Sequence, residues 1–148
     1  LEPRAAAVYA SKYKRNQVNL FPSGLIIHPE CPWLGCTPDR KVFDMAPPAG
    51  VSPYGLLEIK VVCKEGITSL DHVPYLTLHP ESRQTVLNTK HQYYFQVQCQ
   101  LALTGLEWCD FFCYVNDQLY FCQKIIFDPV FFQANKDKVD SFYFHYFL

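Results

Sequence analysis

The sequence predicts an α/β protein: a central mixed β-sheet flanked and covered by helices. Three observations carry the prediction. Residues 2–14 and 90–103 place apolar side chains at helical steps of three and four, whereas 55–62, 109–115 and 119–127 are apolar runs of strand length. Prolines and glycines concentrate in the connections between these segments. The resulting order is helix, strands, helix, strand pair, helix, which feeds one sheet with helices from both sides.

The elements follow in order. Residues 2–14 carry four alanines, Val8, Tyr9 and Tyr13, and Pro3 suits a first helical turn. The pattern is helical from the first residue with no capping side chain, so an upstream segment is expected. Residues 16–23 read as a break, 24–27 as a short apolar run, and "HPECP" turns the chain. Residues 33–43 and 55–62 read as two strands, joined by the proline- and glycine-rich "DMAPPAGVSPY" that cannot be helical. Residues 64–88, with Pro74 and Pro80, are irregular and leave room for a short helical piece or a mobile loop. Tyr94, Val97 and Leu101 mark an amphipathic helix over 90–103, which Gly105 ends. The next two apolar runs form a hairpin around Asn116-Asp117. Asp128-Pro129 opens a last helix with Phe132, Val139, Phe142 and Tyr146 on one stripe. No internal repeat or low-complexity tract is present.

A chain of 148 residues, 49% apolar and 16% aromatic, is sized for a single globular domain over 1–148. A net charge of −1 gives no global polyanion-binding surface, although a local basic cleft is compatible with it. No apolar run approaches the about 18 to 20 residues that span a bilayer, so no membrane association is expected. The seven cysteines are odd in number and irregular in spacing, which argues against a disulfide framework and for a reducing intracellular compartment, nucleus or cytoplasm. His28, Cys31 and Cys36 lack the second close pair a zinc site needs. Trp33 reads as core rather than as a platform for stacking bases.

The chemistry concentrates in "WLGCTPDRKVF" and "GLLEIK". Side chains alternate along a strand, so Glu58 and Lys60 point one way and Leu57, Ile59 and Val61 the other. If the two strands pair across the proline-rich connection, Asp39 comes beside Glu58. Two carboxylates in a low-dielectric site repel unless a cation lies between them. Oxygen ligands of this kind suit Mg²⁺ or Mn²⁺ rather than zinc. Asp, Glu and Lys so arranged are the parts for hydrolysing a phosphodiester. The same triplet is also what a solvent-facing ion pair looks like, worth under about 1 kcal/mol.

A wider pattern resolves that ambiguity. "PD" followed by "EIK" is similar to the PD-(D/E)XK nuclease superfamily, with its restriction-endonuclease-like core. The chain resembles one branch of it, the YqaJ-type viral recombinase and lambda-type exonuclease family. The matching segments are "LEPRAAAVY" at 1–9, "HPECPWLGCTPDR" at 28–40, "GLLEIK" at 55–60, "YYFQVQCQLALTG" at 93–105, "EWCDFFCYV" at 107–115 and "IIFDPVFF" at 125–132. The resemblance implies Asp39, Glu58, the main-chain carbonyl of Ile59 and the helix glutamate Glu2 as metal ligands, Lys60 as the catalytic lysine, and Gln96 as an active-site glutamine. Tyr93 lies on the same helix face as Gln96, and Arg40 and Lys64 are the basic residues placed to bind substrate. Gln98 and Gln100 read as ordinary glutamines on a solvated helix face. Lys12, Lys14, Arg15, Lys41, Arg83 and Lys90 add positive charge around the expected cleft. Two departures stand out: "KVVCKEG" differs from the family's usual continuation after the lysine, and the segment that binds the 5′-phosphate in lambda-like enzymes has no match.

The resemblance implies a Mg²⁺-dependent deoxyribonuclease, or one using Mn²⁺. Its substrate would be duplex DNA ends, with exonuclease action in recombination or end resection. It further implies hand-off to a single-strand annealing protein and assembly as a ring of copies. The alternative is a module of the same fold that binds nucleic acid or protein without cutting.

Overall fold

The computed structural model describes residues 1–27, 29–31 and 34–146, and their side chains except those of 139 and 141–146. His28 and Trp33, and the stripe positions Val139, Phe142 and Tyr146, lie outside what it describes; Phe132 of that stripe is buried.

The first helix, α1 (Glu2–Val8), continues as a π-helical turn over Tyr9–Tyr13. Ala5, Ala6, Val8 and Tyr9 form its buried face, and the small alanines let it lie close against the sheet. The chain then reverses through Arg15 and Asn16, both at positive φ. Residues 16–23 are not a break. Val18 and Leu20 turn inward and form β1 (Val18–Pro22), which pairs antiparallel with β4 (Arg40–Asp44). Pro22 sits at the end of this edge strand, where no ladder donor is required. A two-residue ribbon of β2 (Ile26–Ile27) and β3 (Gly35–Cys36) lies between them in sequence.

The expected strand over 33–43 is therefore two pieces. Pro38 cannot donate to a ladder, and Asp39 bonds through its side chain instead, so pairing restarts at Arg40. The long central strand β5 (Tyr54–Val61) runs antiparallel to β4 and parallel to β8 (Trp108–Tyr114), which pairs antiparallel with β9 (Tyr120–Ile126). The sheet order β1-β4-β5-β8-β9 is mixed, as expected.

The crossover from β5 to β8 carries α2 (Gln92–Thr104). It also holds the short helical piece for which 64–88 left room, a 3₁₀ turn at Leu70–His72, and, beyond that reading, a hairpin of β6 (Leu76–Leu78) and β7 (Thr85–Leu87). The helix starts at His91, whose Nδ1 accepts the Tyr93 N–H at 3.1 Å. It stops at Gly105, with φ 72° and its N–H donated to the Leu101 carbonyl. The last helix, α3 (Pro129–Tyr146), is capped by Asp128, whose Oδ1 accepts the Phe131 N–H at 3.0 Å.

Alternation along β5 divides the core. Leu57 and Ile59 pack with Tyr9, Trp108 and Phe112 under α1, while Leu56 packs with Val97, Leu101 and Phe111 under α2. Each fully buried leucine contributes about 1.5–3 kcal/mol. Gly55 is fixed by the first layer, because a Cβ there would lie 2.3 Å from the Trp108 indole. Glu58 and Lys60 accordingly face α2. Among the described residues no helix is long and apolar enough to cross a membrane.

Candidate active site

The site forms where β4 starts late beside β5. Extending the register one step past Arg40↔Leu57 sets Asp39 opposite Glu58. Asp39 Oδ2 accepts the Ile59 N–H at 2.7 Å, so the side chain replaces the missing ladder bond. A strand residue's N–H and C=O leave the same edge, so the Ile59 carbonyl is turned into the gap that Asp39 occupies.

Glu58 is 3% exposed. Its Oε1 lies 3.1 Å from Lys60 Nζ and accepts from Gln96 Nε2 at 3.4 Å; its Oε2 accepts from Gln100 Nε2 at 2.9 Å. Lys60 Nζ donates to Gln96 Oε1 at 3.2 Å and sits 4.2 Å above the Tyr93 ring. Tyr93, Gln96 and Gln100 share one face of α2, at the helical spacing that carries adjacent side chains to a common partner. From the other side of the sheet edge, α1 brings Glu2, whose Oε1 is 3.0 Å from Arg40 Nη2. The same arginine donates from Nη1 to the Asp39 carbonyl at 2.7 Å.

The electrostatics are those of an over-acidic pocket. Burial pushes the Asp39 carboxyl above its ordinary range, and the Glu2 charge adds to that against the Ile59 N–H, Lys60 and Arg40. Burial likewise raises Glu58, with Asp39 reinforcing it while Gln100 and Lys60 oppose. Among the described residues no three His, Cys, Asp or Glu side chains form a ready-made metal cluster. The donor set nevertheless fits a hard divalent cation. Two neighbouring carboxylates lie beside the Ile59 carbonyl, and the buried Glu2 Oε1 makes no hydrogen bond despite its nearness to Arg40.

Of the residues singled out in the sequence, Glu2, Asp39, Arg40, Glu58, Ile59, Lys60, Tyr93 and Gln96 are brought together. Lys64 is exposed beyond the end of β5 and, among the described residues, makes no hydrogen bond or ion pair with any of them. Lys12 and Lys14 are not at this site: Lys12 donates to the Asp117 carbonyl at 3.0 Å, and Lys14 is 3.3 Å from both Asp44 and Asp110. Gln98 and Gln100 are not on a solvated face. Both are fully buried; Gln98 bridges the Ile126 carbonyl and the Asp128 N–H, and Gln100 holds Glu58. The available signal for Gln100 was its position four residues after Gln96, one turn along the face already assigned to the site.

Among the curated proteins none matches. Two solved structures resemble the chain over 96% of its length. One is an alkaline exonuclease (LHK-Exo) from Laribacter hongkongensis, 28% identical with a TM-score of 0.64; the other is LHK-Exo in complex with dAMP, 27% identical with a TM-score of 0.61. The chain spans 62% of the length of each. Residues 1–107 match the YqaJ-like viral recombinase domain. That segment runs from α1 past the end of α2 and contains every member of the carboxylate–lysine cluster, and the chain belongs to the YqaJ-like viral recombinase domain family.

Proposed function

We propose that this chain is a Mg²⁺-dependent deoxyribonuclease, also able to use Mn²⁺, and within that class a double-strand DNA exonuclease. The observation that carries the reading is the meeting of Asp39, Glu58 and Lys60 at one sheet edge with more acid than the neighbouring cations balance. The family and the exonuclease neighbours support it further.

Asp39, Glu58 and the Ile59 carbonyl would hold the metal, with Glu2 approaching from α1. Bound there, a divalent cation supplies a lowered water pKa and polarisation of a phosphoryl oxygen. The protein's own part is positional and electrostatic. The Ile59 N–H fixes the Asp39 carboxylate, and burial keeps bulk water from screening Glu58. Lys60, held between Glu58, Gln96 and the Tyr93 ring, directs its ammonium toward the charge that develops on the phosphoryl oxygens. One P–O bond forms to water and one ester P–O bond breaks, leaving a phosphate monoester and a hydroxyl. Lys64, exposed past β5, would contact a backbone phosphate, as would Arg40, which also pairs with Glu2. Action on duplex ends in recombination, delivery to a single-strand annealing protein, a ring of copies and an intracellular setting in nucleus or cytoplasm complete the proposal. They rest on the family alone.

The test is digestion of linear duplex DNA labelled at either the 5′ or the 3′ end, with Mg²⁺ and with EDTA, by the wild type and Asp39→Asn. Metal-dependent shortening of one strand by the wild type only is expected. If both proteins bind DNA and neither cuts it, the chain is a binding module.

A further inference from the structure

Gln100 is a buried amide for which folding gives no account. It is fully buried in α2, its Nε2 donates to Glu58 Oε2 at 2.9 Å, and its own Oε1 is buried without a hydrogen-bond partner. An orphaned buried acceptor is unfavourable, and methionine or leucine would fill much the same space without it. What the side chain does is hold one oxygen of one carboxylate.

That hold has a counterpart. Asp39 Oδ2 is tied to the Ile59 N–H at 2.7 Å, and Glu58 Oε2 to the fully buried Gln100 amide at 2.9 Å. Glu58 Oε1 also has donors, Lys60 Nζ at 3.1 Å and Gln96 Nε2 at 3.4 Å, but these are longer contacts from less buried side chains. A cation that displaces them meets Oε1 singly, because Oε2 stays held. Mg²⁺ demands a near-ideal octahedron of close, singly placed oxygens, whereas Ca²⁺ takes six to eight ligands and readily accepts both oxygens of a carboxylate. We propose that Gln100 is a specificity-determining residue for the metal: by holding Oε2 it makes Glu58 a one-oxygen ligand and biases the site toward Mg²⁺ and Mn²⁺ over Ca²⁺. The inference rests on the metal-dependent reading above. It concerns a side-chain lock, which substitution can remove, where the lock on Asp39 is main chain and cannot be removed.

The test is calorimetric titration of the DNA-free protein with MgCl₂, MnCl₂ and CaCl₂, for the wild type, Gln100→Met and Gln100→Asn. Methionine matches the volume without an amide; asparagine keeps the amide but falls one methylene short. Both variants are expected to bind Mg²⁺ about tenfold or more weakly, with Ca²⁺ affinity held or raised, so that the preference between the two moves by at least the same factor. An equal shift for all three metals, or none, overturns the proposal. A second measurement needs only the wild type: the separation of the carboxylate infrared stretches on adding Mg²⁺. A one-oxygen signature is expected, and a two-oxygen signature overturns the proposal however the variants fold. A wild type that binds metal with the expected preference yet cuts no DNA sinks the nuclease reading and leaves this inference standing. A wild type that binds no divalent cation sinks both.

Discussion

Two buried carboxylates occupy opposite faces of the same sheet, and only one of them belongs to the proposed active site. Glu58 on β5 faces α2; Asp110 on β8, paired with the adjacent Leu57, faces α1. Asp110 is 1% exposed, more deeply buried than Glu58. It accepts from the Tyr9 hydroxyl at 2.7 Å and meets Lys14 Nζ at 3.3 Å and Lys124 Nζ at 3.1 Å. Lys14 also meets Asp44 at 3.3 Å, so two acids face two amines. Burial works against the Lys14 ammonium, but Asp110 and Asp44 outweigh it and its affinity for the proton rises. Around Glu58, three acids (Glu2, Asp39 and Glu58) face Lys60 and Arg40, and both Asp39 and Glu58 are pushed toward the protonated form. Burial of a carboxylate is therefore common to both faces. What sets the proposed active site apart is the missing counter-charge.

The comparison breaks most readily through substitutions that treat the two acids alike. Glu58→Gln removes one of three acids while leaving an acceptor for Gln100. Cleavage of duplex DNA should fall by about a thousandfold, equivalent to several kcal/mol of transition-state stabilisation. The thermal midpoint in EDTA should hold or rise, because the change relieves repulsion. Asp110→Asn should do the reverse. It strands Lys124 beside a neutral amide, leaves Lys14 with Asp44 alone, and should lower unfolding free energy by about 3 kcal/mol in a denaturant titration. Cleavage per folded molecule should change little. A stability loss in Glu58→Gln matching that of Asp110→Asn would erase the distinction between the faces.

A smaller effect, with a definite sign, appears in the pH dependence of stability. Asp39 and Glu58 have folded pKa values raised above their unfolded ones, chiefly by burial. Between the ordinary carboxylate range and those raised values the folded protein holds more protons than the unfolded chain, so stability falls as pH rises through that window. In EDTA the midpoint should therefore decline on leaving the acid side, and Glu58→Gln should flatten the decline. Excess Mg²⁺ should flatten it too, by replacing the protons. A metal-free wild type whose midpoint rises through the same window would contradict the over-acidic description.

These contrasts bear on what the sequence could disclose. Period-two alternation in "GLLEIK" placed Glu58 and Lys60 on one face, and helical spacing put Tyr93 beside Gln96, because both signals are local. Strand β1 was hidden because "VNLFP" is short, half-exposed and ended by proline; it exists through pairing with β4, which local pattern does not encode. The break at Pro38 was legible as chemistry but not as geometry: nothing local says that Asp39 would replace a ladder bond with its side chain. Gln100 left one local signal, its place one turn after Gln96, whereas Asp110 left none. Its role depends on which neighbours arrive from other elements, and a lone aspartate in an apolar segment carries no trace of those partners.

The smallest expected effect tests whether matching contacts on the two faces do different work. Each face sets a lysine against an aromatic ring: Lys60 lies 4.2 Å above Tyr93, and Lys124 lies 3.3 Å above Trp108. Such contacts are worth about 0.5–2 kcal/mol depending on exposure. At the active face the ring helps to aim an ammonium already shared by Glu58 and Gln96, so Tyr93→Phe should leave cleavage at saturating Mg²⁺ unchanged. Tyr93→Leu should slow it about fivefold, near 1 kcal/mol in the barrier. On the opposite face Lys124→Gln should lower stability by about 1 kcal/mol and leave the cleavage rate alone, since the amine it removes bonds Asp110 and lies over the indole, away from Glu58. The same pair of contacts thus separates into a kinetic effect and a thermodynamic one. If Lys124→Gln slows cleavage as much as Tyr93→Leu does, the two faces are coupled and the α1 side must be counted with the site.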